Sequence, residues 1–460
     1  MSQTVRQAGA EIAALGRADL RRDAVQIAAR ALAAVDPVAA FARRASLTGD
    51  VLRIDADTYD LKGRRVIVLG AGKASIGLAA HLDRLLGARI AASCVVVKRG
   101  QGRRLRHIEI MEAAHPVPDH TSLQGGERLL QMAASTQPDD LVIAIVTGGS
   151  SSLVVAPTEG ISLADVVATT RLLLASGAQI IHINDVRKHL CRVKGGRLAA
   201  ACGCTVINLT VSDVVGDPLD NITDPTVPDT STFADAQRAC DSFELWDRLP
   251  GSVAAHLRRA DPLDETVKQL HDVHSYVLAT AEMMCAAAVE AGRTLGYASE
   301  VLTLELAGES ADAGRWLAAR LRGRSAPACL ITGGETTVRL AGDVGSTGGP
   351  SQEAALAAAL ELDGGGPACV LCMDSDGNDG PTDAAGGLVD DLSAQRARAA
   401  GRDLSAALAT HTAGAALVAM GDLFVTGPTG TNVNDLRLAL TTGTSNGGDA
   451  RGGPGTAAHR

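Results

Sequence analysis

The segment Val66-Ile-Val-Leu-Gly-Ala-Gly-Lys-Ala-Ser75 reads as an apolar strand running into a glycine turn and then a helix. Gly70 and Gly72 let backbone amides approach an anion, and a helix starting near Ser75 favours negative charge at its N-terminus. The third glycine of a dinucleotide fingerprint is missing: Ser75 stands there and Gly77 is displaced. The next apolar run ends in Lys98 and Arg99, not in an acid that would hold a ribose. Lys73 inside the turn fits a phosphate or carboxylate better than a nicotinamide dinucleotide. A tight turn with a solvated lysine is the plainer alternative.

Strands and helices alternate on either side of this unit. Apolar runs predict strands at 92–97, 141–146 and 204–211. Helices are expected at 74–86 and 124–134, after Ser162-Leu-Ala-Asp165 as far as Gly177, and after an Asn184 or Asp185 cap. The rhythm implies an α/β fold with a mostly parallel, Rossmann-like sheet covered on both faces. Residues 8–47 read as a helical lead-in. The chain turns Pro- and Asp-rich, then Arg-rich, over 216–262, and an Ala-rich helix is expected at 276–291. A second, smaller α/β unit has strands expected at 328–332, 336–340, 368–373 and 422–425, in a mixed sheet. The expected division is an N-terminal domain at 1–245, a helical connection at 246–325, a C-terminal domain at 326–440 and a disordered Gly/Thr/Ser-rich tail at 441–460.

A chain of 460 residues is too long for one core, which agrees with two domains. A net charge of −9 and only 2% aromatic residues argue against a nucleic-acid partner. The nine cysteines lack a framework spacing, which fits a reducing, cytoplasmic setting. Cys369 and Cys372 have redox spacing, but three apart on a strand they point to opposite faces. With no apolar signal core and no 18-residue apolar span, neither a leader nor a membrane partner is expected. The oligomeric state is left open, a homo-oligomer included.

Asp374-Ser-Asp-Gly-Asn-Asp-Gly-Pro-Thr-Asp383 sets four carboxylates after the apolar run 368–373. Ligands in open α/β sheets sit beyond the carboxyl ends of strands, and carboxylates suit Mg²⁺ and through it phosphates. Asp376, Asp379 and Asp383 are the metal candidates; a solvated acidic loop is the alternative. An EF-hand is excluded, since its sixth and twelfth positions are Asp379 and Ala385. Thr147-Gly-Gly-Ser-Ser-Ser152 also follows a strand, so Gly148, Gly149, Ser150 and Ser151 suit phosphate or polyol oxygens, or simply cap a helix. Arg187, Lys194 and Arg197 belong to a run of five basic residues in eleven. On one helix Arg187 and Lys194 would share a face and clamp phosphates; a solvated face is the alternative. Asp213 is a further strand-end carboxylate, or an Asx turn. Thr332-Gly-Gly-Glu-Thr-Thr337 is a plain hairpin or a binding loop. Thr426 to Asp435 is rich in Gly, hydroxyls and amides. His115 and His189 have no triad context and default to satisfied or surface residues.

Basic loops in the first half and Asp loops in the second are what phosphoryl transfer requires. In that order the motifs resemble the glycerate 2-kinase family, ATP-dependent kinases with a C-terminal MOFRL domain. The carrying stretches are Gly70-Ala-Gly-Lys-Ala-Ser75, His115-Pro-Val-Pro-Asp119, Val186-Arg-Lys-His-Leu190 and Lys194-Gly-Gly-Arg197. They continue with Ser212-Asp-Val214, Thr332 to Thr337, Asp376 to Ala384 and Gly427 to Asp435. The resemblance implies two α/β domains with an active-site cleft between them, ATP and Mg²⁺ as cofactors, and phosphorylation of D-glycerate at its 2-hydroxyl. It implies an active-site place for Lys73; Asp213 joins it as a catalytic candidate, a base or a metal ligand, and Glu335, Thr336, Asn432 and Asn434 are further binding candidates.

The chain also departs from the family's pattern. Pro350 in Gly348-Gly-Pro-Ser-Gln-Glu353 replaces a customary Arg, Thr223-Asp-Pro-Thr226 replaces Ser-Gly-Pro-Thr, and His120 replaces an acid. Proline supplies no charge. These changes keep open a kinase for a related four-carbon acid, or a catalytically weakened protein that binds a sugar-acid phosphate. A hydroxypyruvate reductase is the remaining and less favoured alternative.

Overall fold

Helix Ala18–Ala34 stops where Asp36 accepts from Val38 and Ala39 N–H, capping a second helix, Pro37–Arg44, with Pro37 in its first turn. The computed structural model describes residues 12, 14–212, 224–324, 326–340 and 347–443. The lead-in expected to stay helical to 47 becomes extended at Ala45. There begins an antiparallel meander of β1 (Ala45–Thr48), β2 (Val51–Ile54) and β3 (Asp57–Asp60). Alternate burial along Val51-Leu-Arg-Ile54 is a period of two, which a helix would not satisfy.

The first large sheet holds β4 (Val66–Ala71), β5 (Ile90–Lys98), β6 (Ile110–Ala113), β7 (Leu141–Val146), β8 (Thr205–Val211) and β9 (Val273–Ala279). Their spatial order is β6-β5-β4-β7-β8-β9, and every pairing is parallel. Strand order reverses between β4 and β7, so a crevice opens beyond their carboxyl ends. The continuous burial of β4 and β7 reflects the helices on both faces. β9 corrects the helix expected from 276. Val273–Ala279 is extended, and Thr280 then caps the helix Ala281–Thr294 by accepting from Met283 N–H. The Ala-rich run hid this boundary, because the strand lies directly against the cap.

The second large sheet holds β10 (Ala298–Thr303), β11 (Ala328–Thr332), β12 (Ala368–Asp374), β13 (Gly386–Asp390), β14 (Leu423–Phe424) and β15 (Asp435–Thr441). Its order is β10-β11-β15-β12-β13-β14; β10–β11 is parallel and the other pairs are antiparallel. The strand expected at 336–340 does not form. β11 takes β15 as its antiparallel partner, and Thr337 makes only an isolated bridge to Glu309. The hairpin reading of 332–337 therefore falls. The segment 246–325, expected as a helical connection, carries β9 of the first sheet and β10 of the second. Thr441, the first residue of the expected tail, closes β15; residues 444–460 lie outside the described residues.

Helix Ala18–Ala34 packs on the second sheet, with Ile27 and Ala31 in one core with Leu436, Leu438 and Leu440. Its Arg21 is fully buried and reaches Asp390 at 3.0 Å and Asp422 at 2.9 Å. Cys369 and Cys372 lie in the two different cores flanking β12, as their spacing requires, and all nine cysteines are free. Among the described residues no single helix is long and apolar enough to cross a membrane.

Candidate active site

The loops after β4 and β7 lock together at the strand reversal. Gly72 has φ 142°, and a Cβ there would lie 1.9 Å from Thr147 Oγ1. Gly72 N–H donates to Val96 O at 3.1 Å, Lys73 N–H to Gly148 O at 2.9 Å, and Ala74 N–H to Thr147 Oγ1 at 3.1 Å. These amides, expected to face an anion, are therefore committed within the protein. Gly70 permits close approach to Ile145, and the buried Ser75 hydroxyl lies 3.3 Å from Thr147 Oγ1. Gly70, Gly72 and Ser75 thus position Lys73 and do not form an amide cradle. Gly148 and Gly149 keep amides with no backbone acceptor among the described residues. Gly149 adopts φ 84°, and Ser150 and Ser151 open the short helix Ser150–Leu153.

Lys73 Nζ crosses to the second sheet and donates to Asp376 Oδ2 at 2.8 Å. The two side chains are 17% and 9% exposed, so the pair sits in a partly dry cleft. Beside it lies His115. A Cβ placed on Gly149 would lie 3.0 Å from Lys73 Cγ and 3.2 Å from His115 Nε2. Burial, then Lys73 and Lys98, push the imidazole down to about 4, with Asp376 opposing and Arg187 adding to the effect. Lys98 ends β5, in register with Ala113 of β6, two residues before His115.

The basic run divides. Arg187 lies in the helix Ile180–His189 and donates to Ser151 O at 3.1 Å; burial lowers it to about 10. Lys194 lies beyond that helix, so the two do not share a face. It is buried, donates to Val154 O at 2.9 Å, and is lowered first by burial. Arg197 donates to Lys188 O and Cys191 O, both at 2.7 Å, and to Asp264 O. Lys194 and Arg197 hold the loop's backbone and do not form the expected phosphate clamp. His189 is satisfied by Asp185 O at 2.6 Å and Glu265 at 2.8 Å.

The Asp loop divides as well. Asp379 is buried and accepts from Ser351 N–H at 2.9 Å and Gln352 N–H at 2.8 Å. It thereby caps the helix Pro350–Leu362, whose first residue is Pro350. Burial pushes Asp379 up to about 7, so it acts as a cap and not as the open metal ligand expected. Asp383 is exposed. Asp374, not among the expected ligands, stands opposite Asp435 across β12–β15. Burial, then the Asp376 and Asp435 charges, raise it well above the carboxylate range. Asp435 is likewise raised by burial, against the pull of Arg437.

The remaining expected residues are scattered. Thr336 is buried and accepts from Arg437 Nη2 at 2.7 Å, a structural role. Glu335 is exposed, Asn432 is buried, and Asn434 has φ 67° with its carbonyl accepting from Ser375 N–H at 3.2 Å. Asp213 lies outside the described residues. Asp224, at a departure position, is buried and closes a turn by accepting from Thr226 N–H at 2.6 Å. His120 opens the helix His120–Ala134 and is exposed.

Lys73 after β4, Lys98 at the end of β5 and Arg187 on the helix Ile180–His189 thus belong to the first sheet's side, and Asp374, Asp376 and Asp435 to the second sheet's side. Sequence reasoning missed His115, Lys98 and Asp374. Lys98 carried a signal, a cation ending a strand beside the reversal, but its meaning depended on the β5–β6 pairing.

Comparison with known proteins gives a consistent result. Residues 23–258 match the model of a domain of unknown function, DUF4147, and residues 328–435 match the MOFRL family. The chain is 38% identical over 435 residues to a glycerate 2-kinase of Pyrococcus horikoshii, covering 92% of this chain and 98% of that one. It is 38% identical over 386 residues to a D-glycerate 2-kinase of Thermotoga maritima, covering 82% and 90%. A crystal structure of a glycerate kinase from Thermotoga maritima superposes with a TM-score of 0.76 at 36% identity, over 92% of this chain and 99% of that chain.

Proposed function

This chain belongs to the glycerate 2-kinase family, and from that premise we propose that it moves the γ-phosphoryl group of ATP to the 2-hydroxyl of D-glycerate. The reaction takes place in the cleft between the carboxyl ends of β4, β7 and β12. The observation that carries this reading is the Lys73–Asp376 contact at 2.8 Å, which brings a cation from one sheet to a carboxylate loop of the other. Phosphoryl transfer needs little covalent chemistry from a protein, only positioning and charge stabilisation. Lys73 neutralises charge on the transferring group, and the lock between its loop and Thr147–Gly148 fixes where that charge lies. Arg187, held by Ser151 O, adds a second cation at the same strand ends.

The donor set fits Mg²⁺. Asp374, Asp376 and Asp435 are hard oxygen ligands whose mutual repulsion a divalent cation would relieve. Among the described residues no three ligating side chains converge on one point. Mg²⁺ in phosphoryl-transfer sites typically uses one or two carboxylates and takes its other ligands from phosphates and water. Asp374 and Asp376 would hold it, and when bound it would neutralise the β- and γ-phosphate oxygens.

Pro350, at the start of the Asp379-capped helix, leaves that side of the cleft without the charge an Arg would bring. A four-carbon acid is the alternative acceptor that this difference keeps open. The domain division we favour groups 45–279 around the first sheet, and helix Ala18–Ala34 with 281–441 around the second. The free cysteines are consistent with a reducing cytoplasm.

The test is ADP formation by the purified chain with ATP, Mg²⁺ and a panel of three- and four-carbon hydroxy acids. D-glycerate is expected to give the highest kcat/KM. Folded protein that forms no ADP above background with any acid would defeat the kinase reading. A four-carbon acid preferred over glycerate would move the acceptor assignment and tie it to Pro350.

A further inference from the structure

We infer that His115 and Lys98 form the subsite for the acceptor acid, with the imidazole on the reacting hydroxyl and the ammonium on the carboxylate. The inference rests on the kinase reading above and names two residues that reading does not use.

Its first support is position. Lys98 ends β5 and pairs in register with Ala113, and His115 follows two residues later, so both stand beside the β4–β7 reversal. The His115 ring lies against the same point above Gly149 as the Lys73 side chain. A group resting there touches both, and glycine at 149 keeps that space open.

Its second support is the state of the two side chains. Among the described residues, neither ring nitrogen of His115 and no proton of the Lys98 ammonium has a hydrogen-bond or ion-pair partner. Both residues are only partly exposed. The protein's structural histidines look different: His189 is bonded at both nitrogens, and His256 Nε2 lies 2.9 Å from His189 O. Partly open to solvent and unbonded within the described protein, both groups can meet a ligand that enters the cleft.

Its third support is chemistry. Lys73, Lys98 and Arg187 surround an imidazole that is neutral near pH 7. A neutral imidazole presents one donor and one acceptor, so it can accept from an alcohol without adding charge. Lys73 and Arg187 are assigned above to the phosphoryl group, so Lys98 is the cation of these three left for a carboxylate. A small 2-hydroxy acid offers an alcohol and a carboxylate on adjacent carbons, which matches two neighbouring contacts of this kind. No covalent step is assigned to His115.

The test is steady-state kinetics of the full chain and its His115→Ala, His115→Gln and Lys98→Met variants, varying D-glycerate and ATP separately. Thermal melts establish folding, and His115→Gln serves if His115→Ala does not fold. Lys98→Met is expected to raise KM for D-glycerate about tenfold or more through loss of a charge-assisted contact. His115→Ala is expected to lower kcat/KM for D-glycerate by about ten- to a hundredfold, with His115→Gln recovering part of it. KM for ATP should stay within about twofold, as expected if only acceptor binding is disturbed. D-glycerate kinetics unchanged in the folded variants, or equal losses for both substrates, would overturn the subsite. If the wild-type chain forms no ADP, the kinase reading fails first, and calorimetric binding of D-glycerate decides the subsite separately. Binding to wild type that Lys98→Met abolishes would support it; equal binding, or none to wild type, would overturn it.

Discussion

Lys73 Nζ and Asp376 Oδ2 meet at 2.8 Å, joining the loop after β4 in one sheet to the loop after β12 in the other. Each side chain would be a costly charge in this partly dry cleft without the other. The contact also defines what a phosphorylated ligand must do, since a phosphate reaching Lys73 competes with Asp376 for the ammonium.

Lys73→Ala should lower kcat by about 10²- to 10³-fold, the usual cost of removing one preorganised charge stabiliser. Lys73→Arg should recover only part, because a planar guanidinium does not reproduce a point charge on this loop. Initial-rate kinetics with a melting curve for each variant separates this effect from unfolding.

Gly72→Ala should impair both folding and activity. Its Cβ would fall 1.9 Å from Thr147 Oγ1 at a backbone φ of 142°, so the two loops must part and Lys73 must move. The expected destabilisation is about 1–3 kcal/mol, typical of strain at such a backbone position. Urea unfolding measures it.

Arg21→Ala should cost about 3–5 kcal/mol, since it leaves buried carboxylates short of a partner. Arg21 is fully buried between Asp390 and Asp422, and among the described residues Arg396, at 3.0 and 2.8 Å, is then the remaining cation paired with both acids. The loss should appear as a lower urea midpoint, and near-ultraviolet circular dichroism should show whether the second sheet's core loosens.

His115 gives stability a pH dependence of defined sign. Its folded value of about 4 lies below the ordinary histidine value, so on acidification the unfolded chain takes up the proton first. The contribution is intact above about pH 6.5 and is lost as pH falls from there toward 4. Between pH 7 and 5 the loss should be at most about 2 kcal/mol. His115→Gln should remove that part of the slope in paired urea titrations.

Much of this architecture was legible in local patterns. Continuous apolar runs located β4, β7 and β12, because strands buried on both faces carry no polar interruptions. β9 was lost where the strand abuts the Thr280 cap. β15 was missed because Arg437, buried against Asp435 and Thr336, made a central strand look like the end of a polar loop. The site was read less well than the fold for one reason: residue type does not reveal the partner. Lys194, Arg197 and Asp379 looked like ligand-binding groups, yet they bind backbone carbonyls or a helix terminus. His115 and Lys98 looked ordinary, and only the pairing of β5 with β6 brings them to the strand reversal.

The most direct measurement is identification of the product by phosphorus NMR after incubating the chain with ATP, Mg²⁺ and D-glycerate, beside Lys73→Ala. The expected result is 2-phospho-D-glycerate formed in step with ADP by the wild-type chain, and almost none by the folded variant. Phosphate on the 3-hydroxyl, or ADP formed equally by both proteins, would contradict transfer to the 2-hydroxyl at the Lys73–Asp376 cleft.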